Sequence, residues 1–293
     1  MRGALGEAAG VRCLQWKSPP SAMNGGPVNL LPDLLDAFPP DDESPSVAGL
    51  LGRRVVLASA LAAAGALALD EPAQARSAPL AVIYRGPASE PGTPEAAAWA
   101  LRYRGAVRTA YVGPRQSRRL TAATLRGARL YVQPGGGSVE AAWPHLLPYR
   151  RTIVDWVRGG GHYLGLCLGG YLAANDPGFG LWPGRIVDYK SLRGADIARS
   201  SERLATIRWR GRSRTMYVED PPVFALNRGA RRVTVLARYR TGHIAAASVP
   251  VGRGRVTVVG PHPEAPPSWT KRLRGPRRWD PTPWIDTERT ALS

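Results

Sequence analysis

The stretch that most constrains the fold of this chain runs from Arg158 to Ala174 and reads RGGGHYLGLCLGGYLAA. Three consecutive glycines end one helix, a short apolar strand follows over 162–166, and a new helix is predicted over 168–174. Cys167 therefore lies on a sharp turn from strand to helix. Gly165 and Gly169 flank it in the pattern G-x-C-x-G, and so tight a turn requires neighbours with little or no side chain.

A cysteine in this position is suited to act as a nucleophile. Unpaired N–H groups and the dipole at the N-terminus of the following helix favour a thiolate. The pattern also matches the elbow that carries serine in G-x-S-x-G hydrolases. A lone cysteine can equally be a small buried apolar residue. At this level both interpretations of Cys167 stay open, and an elbow need not catalyse a reaction.

Apolar strands alternate with helices upstream of this turn. The predicted strands cover 80–84, 106–112 and 128–133, and the predicted helices cover 93–101, 120–126 and 146–158. This alternation is typical of βαβ units, so we expect an α/β fold with a mostly parallel sheet flanked by helices. After residue 175, short β-type runs between Gly, Pro and Asn turns predict β-hairpins appended to that sheet.

The residues that would complete a thiol site come directly after the last apolar strand, in the segment GPHPE at 260–264. In extended backbone, residues two apart project to the same side, so His262 and Glu264 can act together. A thiol nucleophile needs a base to take its proton, and the base needs a carboxylate to orient it. We therefore predict Cys167, His262 and Glu264 as the catalytic residues.

The rest of the predicted site lies at the carboxyl ends of the strands, where α/β sheets bind ligands. N–H groups of Leu168, Gly135 and Gly136 are candidate donors to an oxyanion. Gly86, in the turn after the first strand, and Tyr171, one helical turn beyond Cys167, are candidate substrate-binding residues. His145, His162, His243 and His262 lack the spacing of metal ligands, so neither a metal nor another cofactor is expected.

Four motifs carry a resemblance to a known family: YRGP at 84–87, PGGG at 134–137, GGGHYLGLCLGGYLA at 159–173 and GRGRVTVVGPHPE at 252–264. In this order they resemble the biotin-protein ligase N-terminal domain family, a branch of the class I glutamine amidotransferase-like superfamily. The resemblance covers roughly 80–264. It implies a class I glutamine amidotransferase-like, flavodoxin-like fold with Cys167, His262 and Glu264 in the triad positions.

One departure from that superfamily bears on activity. Its glutaminase members continue the elbow as G-x-C-x-G-H-Q, and the Gln helps to hold the substrate, whereas Gly170 and Tyr171 occupy those places here. Glutamine hydrolysis is therefore not expected. Three functions remain. One is a cysteine-dependent amidohydrolase that acts on a small-molecule or peptide amide through a thioester, and another is a non-catalytic module that binds a small molecule or peptide in the same cleft. The third is a polyanion-binding protein that uses the arginine-rich surface.

The chain divides into three predicted parts: a leader at 1–75, the amidotransferase-like domain at 76–270 and a Pro- and Arg-rich tail at 271–293. In the leader, Arg53 and Arg54 precede an uncharged run over 55–69 and an A-x-A cleavage site at 73–75. The arginine pair resembles a bacterial twin-arginine export signal. We therefore expect a periplasmic or secreted protein with no stable membrane span after cleavage, since the run is shorter than the ~20 residues that a span needs.

The formal net charge of +18 comes almost entirely from arginine. A charge of this size predicts weak, non-specific attraction to polyanions. No recognition helix, zinc finger or RNA-binding signature accompanies it, so no specific nucleic acid partner is expected.

Overall fold

The computed structural model describes residues 78–174, 176–197, 201–275 and 278–293. The predicted leader with its export signal, and with it Cys13, lies outside the described residues. Among the described residues, no helix is both long enough and apolar enough to cross a membrane.

The strands of the described residues are β1 (Leu80–Tyr84), β2 (Arg108–Val112), β3 (Leu130–Gln133), β4 (His162–Leu166), β5 (Gly184–Asp188), β6 (Arg203–Trp209), β7 (Arg212–Val218), β8 (Pro222–Leu226), β9 (Thr234–Arg238), β10 (Ile244–Val251) and β11 (Gly254–Val259). The α-helices are α1 (Thr93–Arg102), α2 (Ala122–Arg126), α3 (Val139–Leu146), α4 (Arg150–Arg158), α5 (Leu168–Tyr171) and α6 (Pro281–Leu292).

Nine strands form one mixed sheet in the order β2-β1-β3-β4-β11-β10-β9-β6-β7. The first five in this order are parallel neighbours. The remaining strands extend the sheet with antiparallel pairs, while β5 and β8 form a separate two-stranded sheet. The order 2-1-3-4-11 is the flavodoxin-like arrangement with its fifth strand supplied from late in the chain. The predicted fold class is thus confirmed.

The parallel strands β1, β3, β4 and β11 are buried on both faces, which explains their mostly apolar sequences, whereas β2 at the edge is only partly buried. On β1, Ala81 and Ile83 belong to one hydrophobic core, and Val82 and Tyr84 to the other. Apolar side chains of α1 and α6 cover the first face. Those of α2, α3, α4 and α5 cover the second. The sheet therefore has helices on both faces, and the connecting loops lie at the ends of its strands.

The predicted helix at 146–158 is wrong at its start. Helix α3 ends at Leu146, a 3₁₀ turn covers Leu147–Tyr149, and α4 begins only at Arg150. Pro148 explains the break, because a proline has no N–H to donate within a helix and its ring clashes with the preceding turn. The helix after Cys167 is also shorter than predicted, since it ends at Tyr171.

Two elements had no counterpart in the sequence pattern. Strand β8 begins with a proline, a residue that is depleted in strands and weakens the signal. Helix α6 lies in the C-terminal segment, begins with Asp280 as its N-cap and buries Trp284 completely. It packs against β4 and β11, and the Nδ1–H of buried His162 donates to the Ala291 carbonyl over 2.6 Å.

Candidate functional site

Cys167 lies at the carboxyl end of β4, at the centre of the parallel strands. Its backbone has φ 48° and ψ −106°, a conformation that a residue other than glycine rarely adopts. Its N–H donates to the Val259 carbonyl at the end of β11, 2.8 Å away. Strain of this kind persists only where the surroundings over-determine it, and it occurs at nucleophile elbows.

The two glycines of G-x-C-x-G are required by close backbone contacts. A Cβ on Gly165 would lie 2.3 Å from the carbonyl oxygen of Gly169, and a Cβ on Gly169 would lie 2.0 Å from the carbonyl oxygen of Gln133. Neither distance is sterically possible. Helix α5 is therefore pressed against the ends of β3 and β4, and this contact holds Cys167 in its strained conformation.

His262 and Glu264 follow β11, the parallel neighbour of β4, so the topology brings them to Cys167. The imidazole Nδ1–H donates to Oε1 of Glu264 over 2.8 Å. Both side chains are buried, His262 to 6% exposure and Glu264 to 0%. With Nδ1 occupied, Nε2 is the ring nitrogen left for the thiol.

The imidazole is held between a carboxylate and the cysteine. Burial lowers the pKa of His262, but the charges of Glu264 and Cys167 and hydrogen bonds to both outweigh it, and the pKa lies well above its ordinary value of 6.5. The second oxygen of Glu264, Oε2, is buried and has no hydrogen-bond partner among the described residues. Glu264 is thus directed at His262 through a single strong contact, which stabilises the protonated imidazole.

The PGGG loop packs directly on the cysteine and the histidine. A Cβ on Gly135 would lie 3.1 Å from Cε1 of His262 and 3.7 Å from Cβ of Cys167. The Gly135 carbonyl accepts hydrogen bonds from Thr93 Oγ1 at 2.8 Å and from the N–H of Glu90 at 3.2 Å. In a trans peptide the carbonyl and the next N–H point in opposite directions, so these two bonds fix the orientation of the Gly136 N–H.

The predicted oxyanion donors are close to one another. A Cβ on Gly136 would lie 3.0 Å from Cδ2 of Leu168, which joins the loop to the first residue of α5. Within residues 78–174, 176–197, 201–275 and 278–293, no hydrogen bond uses the N–H of Gly135, Gly136 or Leu168. These donors are therefore free of protein acceptors beside Cys167.

The two predicted substrate-binding residues differ in their surroundings. Tyr171 is half-buried near Cys167, and its hydroxyl donates to the Asp220 carbonyl over 3.0 Å. Gly86 belongs to a tight turn in which its N–H donates to Ser89 Oγ over 3.2 Å. A Cβ on Gly86 would meet Pro114 and Tyr84 rather than the triad. Tyr171 therefore lies at the site, whereas Gly86 forms part of a neighbouring turn and does not contact the triad.

Several residues beside the triad carried no signal in the sequence. The thiol of Cys167 donates to the Glu219 carbonyl, with 3.6 Å between sulfur and oxygen. The N–H of His262 donates to the Tyr217 carbonyl over 2.9 Å, and the rings of Tyr217 and Trp269 each lie 5.5 Å from the imidazole. These contacts come from the antiparallel part of the sheet and from the loop after His262, whose positions depend on tertiary structure.

The described part of the chain has no cluster of side chains suited to bind a metal. Within the described residues, no group of three or more His, Cys, Asp or Glu side chains has the geometry to hold a metal ion. His162 bonds to the C-terminal helix instead of facing the site.

The fold is the one predicted from the sequence, a class I glutamine amidotransferase-like sheet flanked by helices. Similar solved structures include a glutamine amidotransferase, 17% identical over 71% of this chain and 98% of that one with a TM-score of 0.48. Another is PurLQS from Thermotoga maritima, 17% identical over 64% of this chain and 88% of that one with a TM-score of 0.46. Among curated proteins, none matches the sequence.

Part of the sequence also matches a known family. Residues 82–183 match the family described as "Biotin-protein ligase, N terminal". This stretch contains YRGP, PGGG and the whole cysteine elbow, and it confirms the family resemblance predicted from those motifs. The segment with His262 and Glu264 lies outside the matched residues.

Proposed function

We propose that this protein is an exported cysteine-dependent amidohydrolase of the class I glutamine amidotransferase-like type. The observation that carries the proposal is a strained cysteine next to a buried His262–Glu264 pair with a 2.8 Å hydrogen bond. A relay of this kind needs a nucleophile, a base and an orienting carboxylate in contact. The proposal is supported by the parallel pairing of β4, which Cys167 follows, with β11, which His262 and Glu264 follow.

In the proposed reaction, the Cys167 sulfur attacks the carbonyl carbon of an amide while His262 holds the proton of the thiol. The N–H groups of Leu168 and of the Gly135–Gly136 loop stabilise the oxyanion of the tetrahedral intermediate. His262 then gives its proton to the amide nitrogen, the C–N bond breaks, and the amine leaves a thioester on Cys167. Water attacks the thioester and passes a proton to His262, which returns it to the sulfur as the carboxylic acid is released.

Glutamine is not the substrate that this site favours. In this chain Gly170 and Tyr171 stand where glutaminases have His and Gln. A Cβ on Gly170 would lie 2.9 Å from Cζ of Phe224 on β8, so the pocket has no room for a histidine there without moving that ring. The Tyr171 hydroxyl is committed to the Asp220 carbonyl. We therefore propose a different small-molecule or peptide amide.

A second function is supported by a specific observation. Cys167 is only 8% exposed, and its thiol already donates to the Glu219 carbonyl. A domain that keeps the fold and binds a small molecule or peptide without turnover would tolerate such a covered thiol. This binding module is the alternative that the experiment below distinguishes.

Export is the part of the proposal that depends on the sequence alone. The arginine pair, apolar run and A-x-A site of the predicted leader support secretion or delivery to the periplasm. Fractionation of cells that express the full chain, with an Arg53→Lys, Arg54→Lys variant as control, measures it. Retention of the wild type in the cytoplasm would contradict export without touching the proposed chemistry.

The experiment for the chemistry uses the full chain with Cys13→Ser, so that Cys167 is the thiol that reacts. Labelling by a thiol-reactive acyl probe is compared with that of Cys167→Ser, His262→Ala and Glu264→Gln, followed by a screen of amide substrates. We expect labelling to require Cys167 and to fall at least ~100-fold without His262, which is the size of effect typical of a lost general base. Slow labelling that is indifferent to His262, together with ligand-induced thermal stabilisation that survives Cys167→Ser, would support the binding module instead.

A further inference from the structure

The turn that carries the candidate base and its carboxylate is short of backbone donors. Four of its seven residues, PHPEAPP at 261–267, are prolines and have no N–H to donate. The N–H of His262 donates to the Tyr217 carbonyl over 2.9 Å, and the N–H of Ala265 donates to the His262 carbonyl over 3.2 Å. The geometry of the turn therefore depends on contacts from other parts of the chain.

The carboxylate of Glu264 does little to fix this turn. Its Oε1 accepts a hydrogen bond from the Nδ1–H of His262 over 2.8 Å, while Oε2 is buried and has no hydrogen-bond partner among the described residues. Because the imidazole is the group that this carboxylate bonds, neither side chain anchors the other to the rest of the molecule. Their relative position is set by the backbone that joins them at Pro263.

An indole from the C-terminal segment holds that backbone. The Nε1–H of Trp279 donates to the Pro263 carbonyl over 2.7 Å. Pro263 is buried, and together with His262 and Trp279 it lines a small cavity. The hydrogen bond thus acts on the peptide group that joins Pro263 to Glu264, directly between the candidate base and its carboxylate.

The indole of Trp279 is itself fixed by two elements of the fold. Trp99 and Tyr103 lie four residues apart on one side of α1, and their ring centroids are 4.4 Å and 4.8 Å from that of the indole. The next residue, Asp280, forms an ion pair of 2.7 Å with Arg214 of β7. Contacts with α1 and β7 therefore determine the direction in which the indole N–H points.

We propose that Trp279 is a positioning residue of the relay. Through the Pro263 carbonyl it holds the turn in which Nδ1 of His262 meets Oε1 of Glu264, and without its N–H the two side chains separate. The inference rests on the proposed amidohydrolase for its chemistry. The hydrogen bond between His262 and Glu264 is nevertheless measurable without any turnover.

The first experiment follows that hydrogen bond by proton NMR of the full chain at pH 6, where the raised pKa of His262 keeps the imidazole protonated. A charge-assisted hydrogen bond to a carboxylate is short and strong, so its proton resonates downfield of the backbone amides. The absence of this resonance in His262→Asn assigns it. Trp279→Phe keeps an aromatic ring but removes the N–H, and we expect the resonance to move upfield or to be lost by exchange with water.

The second experiment measures the labelling of Cys167 by the thiol-reactive acyl probe in the Cys13→Ser background. Misplacement of reacting groups by about 1 Å costs on the order of 10²-fold in rate. A phenylalanine at position 279 leaves most of the packing in place, so we expect Trp279→Phe to be labelled about 10-fold more slowly. Urea unfolding establishes that the variant is folded under the conditions of labelling.

Trp209→Phe is the matched control. The Nε1–H of Trp209 donates to Oδ2 of Asp286 in α6 over 3.1 Å, so this variant also removes an indole hydrogen bond that ties the C-terminal segment to the sheet. Trp209 ends β6 at the hairpin turn, whereas Tyr217, which contacts His262, pairs with Leu204 near the start of that strand. The control is expected to keep the wild-type resonance and labelling rate.

A second variant acts on the indole without removing its N–H. Tyr103 is 53% exposed, so Tyr103→Leu is expected to fold even where Trp279→Phe does not. It removes one of the two rings that fix the indole of Trp279. We expect the resonance to shift in the same direction and labelling to slow by about twofold or more, in keeping with the strength of an aromatic pair.

The two readouts separate this inference from the proposed function. A resonance and labelling rate that stay at wild-type values in Trp279→Phe would overturn the positioning role and leave the amidohydrolase standing. Equal changes in Trp279→Phe and Trp209→Phe would also overturn it, because any loosening of the C-terminal segment would then have the same effect. A resonance that changes in Trp279→Phe alone, in a protein whose labelling does not depend on His262, would support the positioning role and refute the amidohydrolase.

Discussion

The substitution Gly169→Ala tests whether steric contact between α5 and β3 maintains the elbow. The new Cβ would lie 2.0 Å from the Gln133 carbonyl oxygen, 2.8 Å from its carbon and 3.0 Å from its Cβ, whereas ordinary contacts are 3.4 to 4 Å. Because two of these atoms belong to backbone inside the sheet, α5 must move away from β3 by roughly 1 Å or more. Overpacking of this kind costs about 1–3 kcal/mol of folding free energy.

The displacement also moves Cys167 relative to His262, since α5 begins at the next residue. Misplacement of reacting groups by about 1 Å costs on the order of 10²-fold in rate. We therefore expect Gly169→Ala, in the Cys13→Ser background, to react with the acyl probe about 100-fold more slowly. Its urea midpoint is expected to fall by about 1 M.

Gly137→Ala is the matched control, because it makes the same change in the PGGG loop where no atom lies within 4 Å of the new Cβ. It is expected to keep both the labelling rate and the urea midpoint. Wild-type labelling and stability in Gly169→Ala would show that the contact with Gln133 is not what holds the elbow. Equal losses in both variants would show that any added methyl group near the site has this effect, which would also refute the reasoning.

Two further predictions concern pH and the C-terminal helix. Because the folded-state pKa of His262 is raised above its ordinary 6.5, protonated His262 stabilises the fold fully below about pH 6.5, and this contribution is lost as the pH rises through the raised pKa. Urea unfolding of the wild type and of His262→Asn is therefore expected to show the largest difference in unfolding free energy at pH 6 and a smaller one at pH 9. A difference that grows with pH would contradict this prediction. His162→Phe removes the 2.6 Å hydrogen bond to the Ala291 carbonyl and is expected to lower the free energy of unfolding by about 1–3 kcal/mol. Hydrogen exchange in α6 is expected to become faster while the labelling of Cys167 stays unchanged. Unchanged exchange in α6 would show that the bond does not anchor the helix.

The parallel half of the molecule could be predicted from sequence because its signals are local. Strand β4 has the predicted bounds, since glycines precede it and the elbow ends it. His262 and Glu264 were paired on the expectation of extended backbone, and that premise is wrong because the chain turns there, with the Ala265 N–H donating to the His262 carbonyl over 3.2 Å. The turn nevertheless brings Nδ1 of His262 within 2.8 Å of Oε1 of Glu264. The alternation of strands and helices also predicts the parallel sheet, and the last apolar strand, β11, pairs with β4 in it.

The entrance of the site could not be predicted because it is built from distant segments. Glu219 and Tyr217 reach the triad only through the pairing of β6, β7 and β9, and nothing in the letters around them indicates a site. The environment of Gly170 also could not be predicted from the sequence. Its identity departs from the glutaminase pattern, but the reason, the ring of Phe224 on β8, becomes visible only when the two-stranded sheet is placed.

The parallel pairing of β4 with β11 has a consequence for the synthesis and folding of the chain. Cys167 is synthesised well before its N–H partner Val259 and the His262–Glu264 pair. Until β11 is inserted between β4 and β10, the cysteine has neither its base nor the backbone contact that holds its turn. The chemistry that we propose for the thiol is thereby tied to completion of the sheet. A nascent or truncated polypeptide without β11 would carry an unassisted cysteine, and the proposed relay would form when the domain is complete.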